Sequence, residues 1–116
     1  MSTMMKLSLW LNVAVLVPVC VGLLADRAAM TRAFGERTPA RGILLSIYLS
    51  ILGVSVLLVL LGDPRPAAAL LLVQIVYKLT TPLTVGTLAN PVVRSNLAIA
   101  AFHSVTLWQL GWPLAT

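Results

Sequence analysis

Charge is what this sequence has least of. Only 9% of its 116 residues are Asp, Glu, Lys or Arg, and three of those are acidic. Soluble domains carry about a quarter charged residues, so this chain has too few to clothe a water-facing surface. The three acids, Asp26, Glu36 and Asp63, stand in turn-like stretches, which excludes a pair of carboxylates within any apolar run. The one cysteine, Cys20, excludes an internal disulfide and, with the one histidine, His103, a zinc site of the usual kind. A lone imidazole cannot supply both axial ligands of a haem from a single chain. Neither a phosphate-cradling glycine loop nor a nucleophile with base and orienter can be found, so the chain is expected to be no enzyme and to need no cofactor. Aromatics make up 6% of the residues and interleave with no basic stripe. That excludes nucleic acid as a partner despite a net charge of +5.

What the sequence has instead is apolar length. Hydrophobic residues are 59% of the chain and fall into four runs. The first spans residues 7–25, the second 42–61, the third 67–88 and the fourth 92–112. Each is long enough for a hydrocarbon layer of about 30 Å. None alternates as a membrane barrel strand must, and a helix satisfies its own backbone in lipid. The expected fold is therefore all-α, one domain over 1–116, an integral membrane bundle of four transmembrane helices. A secretory signal is the competing reading of the first run, but no small-x-small cleavage site precedes Asp26.

Residues 26–41 collect four arginines with Met30, Ala33 and Phe34 on one side of a helical projection, which predicts a short interfacial segment between the first two spans. Gly62-Asp63-Pro64-Arg65-Pro66 and Asn90-Pro91 mark the other two turns. Lys6 and Arg65 fall on one side, against Arg27, Arg32, Arg37, Arg41 and Arg94 on the other. Cytoplasmic loops hold such an excess, so both termini are expected outside, with Trp10, Trp108 and Trp112 at the outer interface.

The rare polar residues within the runs are the candidate functional groups. Lys78 lies near the middle of the third span, where insertion scales price a lysine at about 2.5 to 3.5 kcal/mol. Gln74, Tyr77, Lys78 and Thr81 share one helical stripe, which should face other helices. With no acid in any span, Lys78 is expected to bury its stem and reach toward an interface. Pro82 opposes the Lys78 carbonyl and predicts a kink that neighbouring threonine hydroxyls heal. Counting back and forward from Asn90, Lys78 is twelve residues away and His103 thirteen, so the two are expected at one depth, lining one cavity. Asn12 and Gln74 match in depth and suggest an interhelical amide pair. Gly42, Ser46 and Ser50 recur every four residues, a spacing that lets helices pack closely within the bundle or between subunits.

Small multidrug transporters share this length and helix count but depend on a membrane-embedded glutamate; Asn12 stands in that region here. The sequence more closely resembles bacterial DoxX-like and related small four-helix membrane proteins. The resemblance rests on Phe34-Gly35 ending an amphipathic segment, on Arg41 entering the second helix with Tyr48, and on Gln74-Ile75-Val76-Tyr77-Lys78. It covers roughly residues 26–79 and implies a multi-pass protein of the bacterial inner membrane. The leading functional expectation is a non-enzymatic protein that binds helices or membrane lipids, as a homo-oligomer or as a subunit of a membrane complex. The alternative is a carrier or channel for a small solute, with Gln74, Tyr77, Lys78 and His103 along its route.

Overall fold

Each long helix begins where the sequence supplies a cap. In the computed structural model, which describes residues 1–109, five helices follow one another: α1 (Thr3–Leu24), α2 (Ala28–Phe34), α3 (Pro39–Leu61), α4 (Pro64–Val85) and α5 (Pro91–Gln109). Ser2, Thr38 and Asp63 accept hydrogen bonds through their side chains from the backbone N–H groups of Met5, Arg41 and Arg65. Pro39 and Pro64 stand in the first turn of their helices, where a missing N–H costs nothing. That is why α3 and α4 start three residues before the expected spans, whose limits treated these prolines as part of the turns. At its other end α4 stops at Val85 instead of Leu88. Gly86 takes φ +86° there and donates its N–H to the Pro82 carbonyl, a left-handed cap that glycine adopts without penalty.

The fold is all-helical among the described residues, and α1, α3 and α4 are long and apolar enough to cross a membrane. α5, whose 19 residues include Arg94, Asn96 and His103, falls outside that set. Trp112 and the rest of 110–116 lie outside the described residues.

α4 packs chiefly on α5 and α1 chiefly on α3, with α1 also touching α5, α4 and α2. α1 therefore serves all the others. Its buried residues Met5, Leu9, Asn12, Leu16, Cys20 and Leu23 step by three or four and so form one face. They also sort the interior into layers. Met5 and Leu9 join Leu58, Leu71 and Leu107 in one apolar cluster. Leu16, Cys20 and Leu23 join Tyr48 and Ile51 in a second, against which Met30 and Phe34 of α2 rest. Asn12 lies between the two. Outward, the helices present apolar side chains, up to Leu83 at 83% and Trp108 at 87% exposure.

The α1–α2 connection is held by ionic caps. Asp26 adopts φ +54°, and Arg27 and Asp26 donate their N–H groups to the Gly22 and Leu23 carbonyls, the double bond of a Schellman turn. Aspartate tolerates that left-handed conformation better than most residues. Here it also pairs with Arg41, Nη1 to Oδ1 at 2.9 Å. Arg41 is buried and donates to the carbonyls of Leu23 at 3.1 Å and Gly35 at 3.0 Å, while Arg37 donates to that of Leu24 at 2.9 Å. Cations at the carboxyl end of α1 also meet the negative pole of its dipole. From the sequence these arginines register only as an excess on one side. α2 lies so close to α1 that a Cβ on Gly22 would come within 2.7 Å of Met30 Cγ. Beyond it, Asn90 Nδ2 donates to the Ala33 carbonyl at 2.8 Å and ties α2 to the α4–α5 turn.

The Arg41 hydrogen bond and charge hold the Asp26 carboxyl below the usual carboxylate range. Its contribution to stability is therefore complete above that range and is lost as pH falls through the depressed native value. Asp26→Asn is expected to lower the melting temperature in detergent micelles at neutral pH, and the gap to wild type should close in acid. A gap that widens in acid would show that the carboxylate does not stabilise the turn.

Candidate functional site

Four helices place a polar side chain at the level of Asn12. Asn12 Nδ2 donates to Gln74 Oε1 at 2.7 Å and to Ser55 Oγ at 3.1 Å. Gln74 Nε2 returns a bond to Asn12 Oδ1 at 3.1 Å, and His103 Nε2 lies 2.9 Å from the same oxygen. An amide oxygen only accepts, so Nε2 carries the proton and donates, while the buried Nδ1 has no hydrogen-bond partner among the described residues. One amide on α1 thus bonds α3, α4 and α5 at once. Nearer the start of α1, Ser8 Oγ meets Thr106 Oγ1 at 2.6 Å. Thr106 gives its own proton to the Phe102 carbonyl, so Ser8 is the donor to Thr106.

Toward the arginine-rich end, α1 and α5 are no longer joined by side-chain hydrogen bonds. Asn96, about two turns before His103, turns to α4 and accepts from Lys78 Nζ at 3.2 Å. Lys78 is 4% exposed and Asn96 5%. The ammonium also sits 4.9 Å from the centre of the Tyr77 ring, within cation–π range. Lys78 does not reach for an interface. It is held inside the bundle by Asn96, an acceptor the sequence reading overlooked although Asn96, His103 and Thr106 share one face of α5 at helical spacing.

Lys78 and Asn96 stand at the inner end of a partly open cavity of about 210 Å³. Leu16 and Val19 of α1, Met30 and Phe34 of α2, and Val92 and Ser95 of α5 contribute to its wall. A second cavity of about 200 Å³ lies across Phe34 and Tyr48 and also reaches Asn96. The two rings meet edge to face, centres 5.9 Å apart, as part of the partition. The second cavity receives Tyr77, whose buried hydroxyl has no hydrogen-bond partner among the described residues.

Comparison with protein-family models, with curated proteins and with solved structures finds no match. What the site can do must be read from its own groups.

Of the stripe on α4, Gln74 and Lys78 are buried, and Tyr77 and Thr81 half-buried. Only Lys78 opens on the first cavity. His103 does not share that cavity with Lys78. The count from Asn90 put them level because it treated residues up to Leu88 as helix, whereas α4 ends at Val85 and the non-helical residues in between shift the register. His103 is accordingly level with Gln74, and Asn96 with Lys78. Pro82 is healed locally: Thr81 Oγ1 donates to the Lys78 carbonyl at 2.6 Å, and Thr80 Oγ1 to that of Tyr77 at 2.8 Å. Gly42, Ser46 and Ser50 face outward, Ser50 donating to its own helix at the Ser46 carbonyl, and a Cβ on Gly42 would meet nothing. The stripe does not pack within the bundle. Among the described residues no three His, Cys, Asp or Glu side chains gather to hold a metal ion.

If Asn12 organises the helices, Asn12→Leu strands buried groups on three of them and should cost about 1 to 3 kcal/mol. Asn12→Leu with Gln74→Leu removes both amides of the reciprocal pair and should cost less than the sum of the single variants. Unfolding titrations in mixed micelles measure both; strict additivity would mean that the amides act independently.

Proposed function

We propose that this chain is a non-enzymatic four-span membrane protein that holds a lipid-like molecule between α1 and α5. The observation that carries the reading is a cavity with apolar walls and two buried polar side chains, Lys78 and Asn96, at its inner end. Ligand sites have that make-up, mostly apolar lining with a few convergent polar groups. The volume exceeds the roughly 150 Å³ in which an engineered cavity takes up benzene.

The membrane part of the proposal is supported by an inside-out distribution. Ser8, Asn12, Ser55, Gln74, His103 and Thr106 are buried while large apolar side chains point outward, the arrangement that hydrocarbon as solvent favours. α5 is assigned as the fourth span because it packs along α4, a helix that meets the length and composition required of a span. The basic residues of the two ends support a cytoplasmic-membrane orientation with α2 inside. Of the residues behind the resemblance to DoxX-like chains, Phe34, Tyr48 and Lys78 stand round the cavity.

Binding is favoured over passage because the route past Lys78 is closed by direct bonds among Asn12, Gln74 and His103.

Two measurements test the proposal. In a Cys20→Ala background, cysteines at positions 2 and 63 should react with an impermeant maleimide on intact cells, and cysteines at 36 and 87 only after the membrane is opened. Labelling of all four from one side would defeat the four-span topology. A hexadecyl chain carrying a photoreactive diazirine, added to the full chain in phosphatidylcholine nanodiscs, should crosslink to Leu16, Val19 or Val92. Val92→Trp should abolish this. Crosslinks confined to outward residues such as Leu83 would rule out an internal site.

A further inference from the structure

The chemistry at the inner end of the cavity narrows what it would hold. Lys78 brings an ammonium with three N–H donors into a place that is almost wholly buried. One donor is used by Asn96, and the Tyr77 ring offers a quadrupole without charge. The chain has three acidic side chains. Asp26 is committed to Arg41, Asp63 caps α4, and Glu36 lies on the α2–α3 connection beside Asp26, Thr31 and Arg37. None of them lines the cavity.

A buried ion is tolerated when an opposite charge or several hydrogen bonds meet it, and a single amide oxygen does not meet that need. The wall leading away from Lys78 is apolar along Leu16, Val19 and Val92, with the cavity partly open. A ligand that suits both ends has a negative head and a hydrocarbon tail.

Resting on the reading of the cavity as a lipid site, we propose that its ligand is an acyl-chain anion whose carboxylate or phosphate accepts hydrogen bonds from Lys78 Nζ while its chain leaves between α1 and α5. The Asn96 amide stands ready as a second donor: its oxygen faces Lys78, and its nitrogen makes no hydrogen bond within the described residues. Two sources supply this chemistry, a free fatty acid and the headgroup of an anionic phospholipid. The cavity rejects a zwitterionic choline headgroup, because a quaternary ammonium would be carried in beside Lys78.

Competition against the photoreactive hexadecyl probe, with the full chain in phosphatidylcholine nanodiscs, decides the matter. Hexadecanoate, hexadecanol and dipalmitoyl phosphatidic acid are compared at equal mole fraction in the bilayer. At least one of the two anions should compete about tenfold more strongly than hexadecanol, the advantage of a charge-assisted hydrogen bond over a neutral one. Preference for hexadecanoate alone points to free fatty acid, preference for phosphatidic acid alone to a phospholipid, and equal action to the shared anion. Lys78→Met should bring the anions to parity with hexadecanol, and Lys78→Arg should keep most of the preference.

Parity of all three competitors on the wild-type protein, which needs no variant to fold, overturns the anion and leaves the lipid site standing. A preference that survives in Lys78→Met overturns it too. Failure of the probe to enter the cavity removes both this inference and the function on which it rests.

Discussion

One amide governs how these helices meet. Asn12 uses both hydrogens of its nitrogen and both lone pairs of its oxygen, and spends them on α3, α4 and α5. Apolar contact holds helices together without fixing their height or rotation, because one leucine serves nearly as well as the next. A saturated amide permits a single arrangement: a slide of one residue would strand Gln74 and His103 in an apolar interior at several kcal/mol. The polar layer therefore specifies register, and the apolar clusters on either side of it, around Leu9 and around Leu16, fill in what it has fixed.

The same layer explains where the open space lies. Ser8–Thr106 and Asn12–His103 are two rungs that pin the first half of α1 to the second half of α5. No third rung follows. Asn96, the next inward-facing polar residue of α5, is taken by Lys78, and below this point Met30 and Phe34 of α2 rest on the cluster of Leu16 and Tyr48. A cavity walled by α1, α2 and α5 lies on the arginine-rich side of the Asn12 layer. That side is secured from outside by Arg41 on the Leu23 and Gly35 carbonyls and by Asn90 on that of Ala33.

Much of this was legible in the sequence where one helix decides the matter. The inward face of α4 and the threonine bonds that satisfy the backbone at Pro82 follow from spacing within one run, and the depth match of Asn12 with Gln74 follows from counting along two. What depended on the exact end of a helix was not legible. A glycine at position 86 carries no periodic signal, yet its left-handed cap ends α4 early and moves Lys78 from the company of His103 to that of Asn96. The prolines at 39 and 64 misled in the opposite sense, since a residue that breaks a helix in its middle opens one at its first turn. The role of Arg41 was hidden for a different reason: counting charges gives the sum of a loop and says nothing of which guanidinium caps which carbonyl. Gly22 gave no sign at all, because what it admits, the flank of Met30, comes from another helix.

Two of the buried cation-capable side chains, Lys78 and His103, differ in what the fold has already done for them, and this bears on where chemistry can occur. His103 is held by an amide that is itself fully engaged, with Leu107 one turn further along α5 packed into the apolar cluster of Leu9; rotating its ring would break the tie between α5 and α1. Lys78 has four methylenes to adjust and one neutral acceptor, and it opens onto space. A group fixed by an already saturated amide reads as structure, whereas one with donors to spare beside a cavity can respond to something entering it. Cost argues the same way. A central lysine weighs about 2.5 to 3.5 kcal/mol against insertion, and packing alone would be served at no such cost by methionine. The side chain that the fold could most cheaply do without is the one placed where a ligand would meet it.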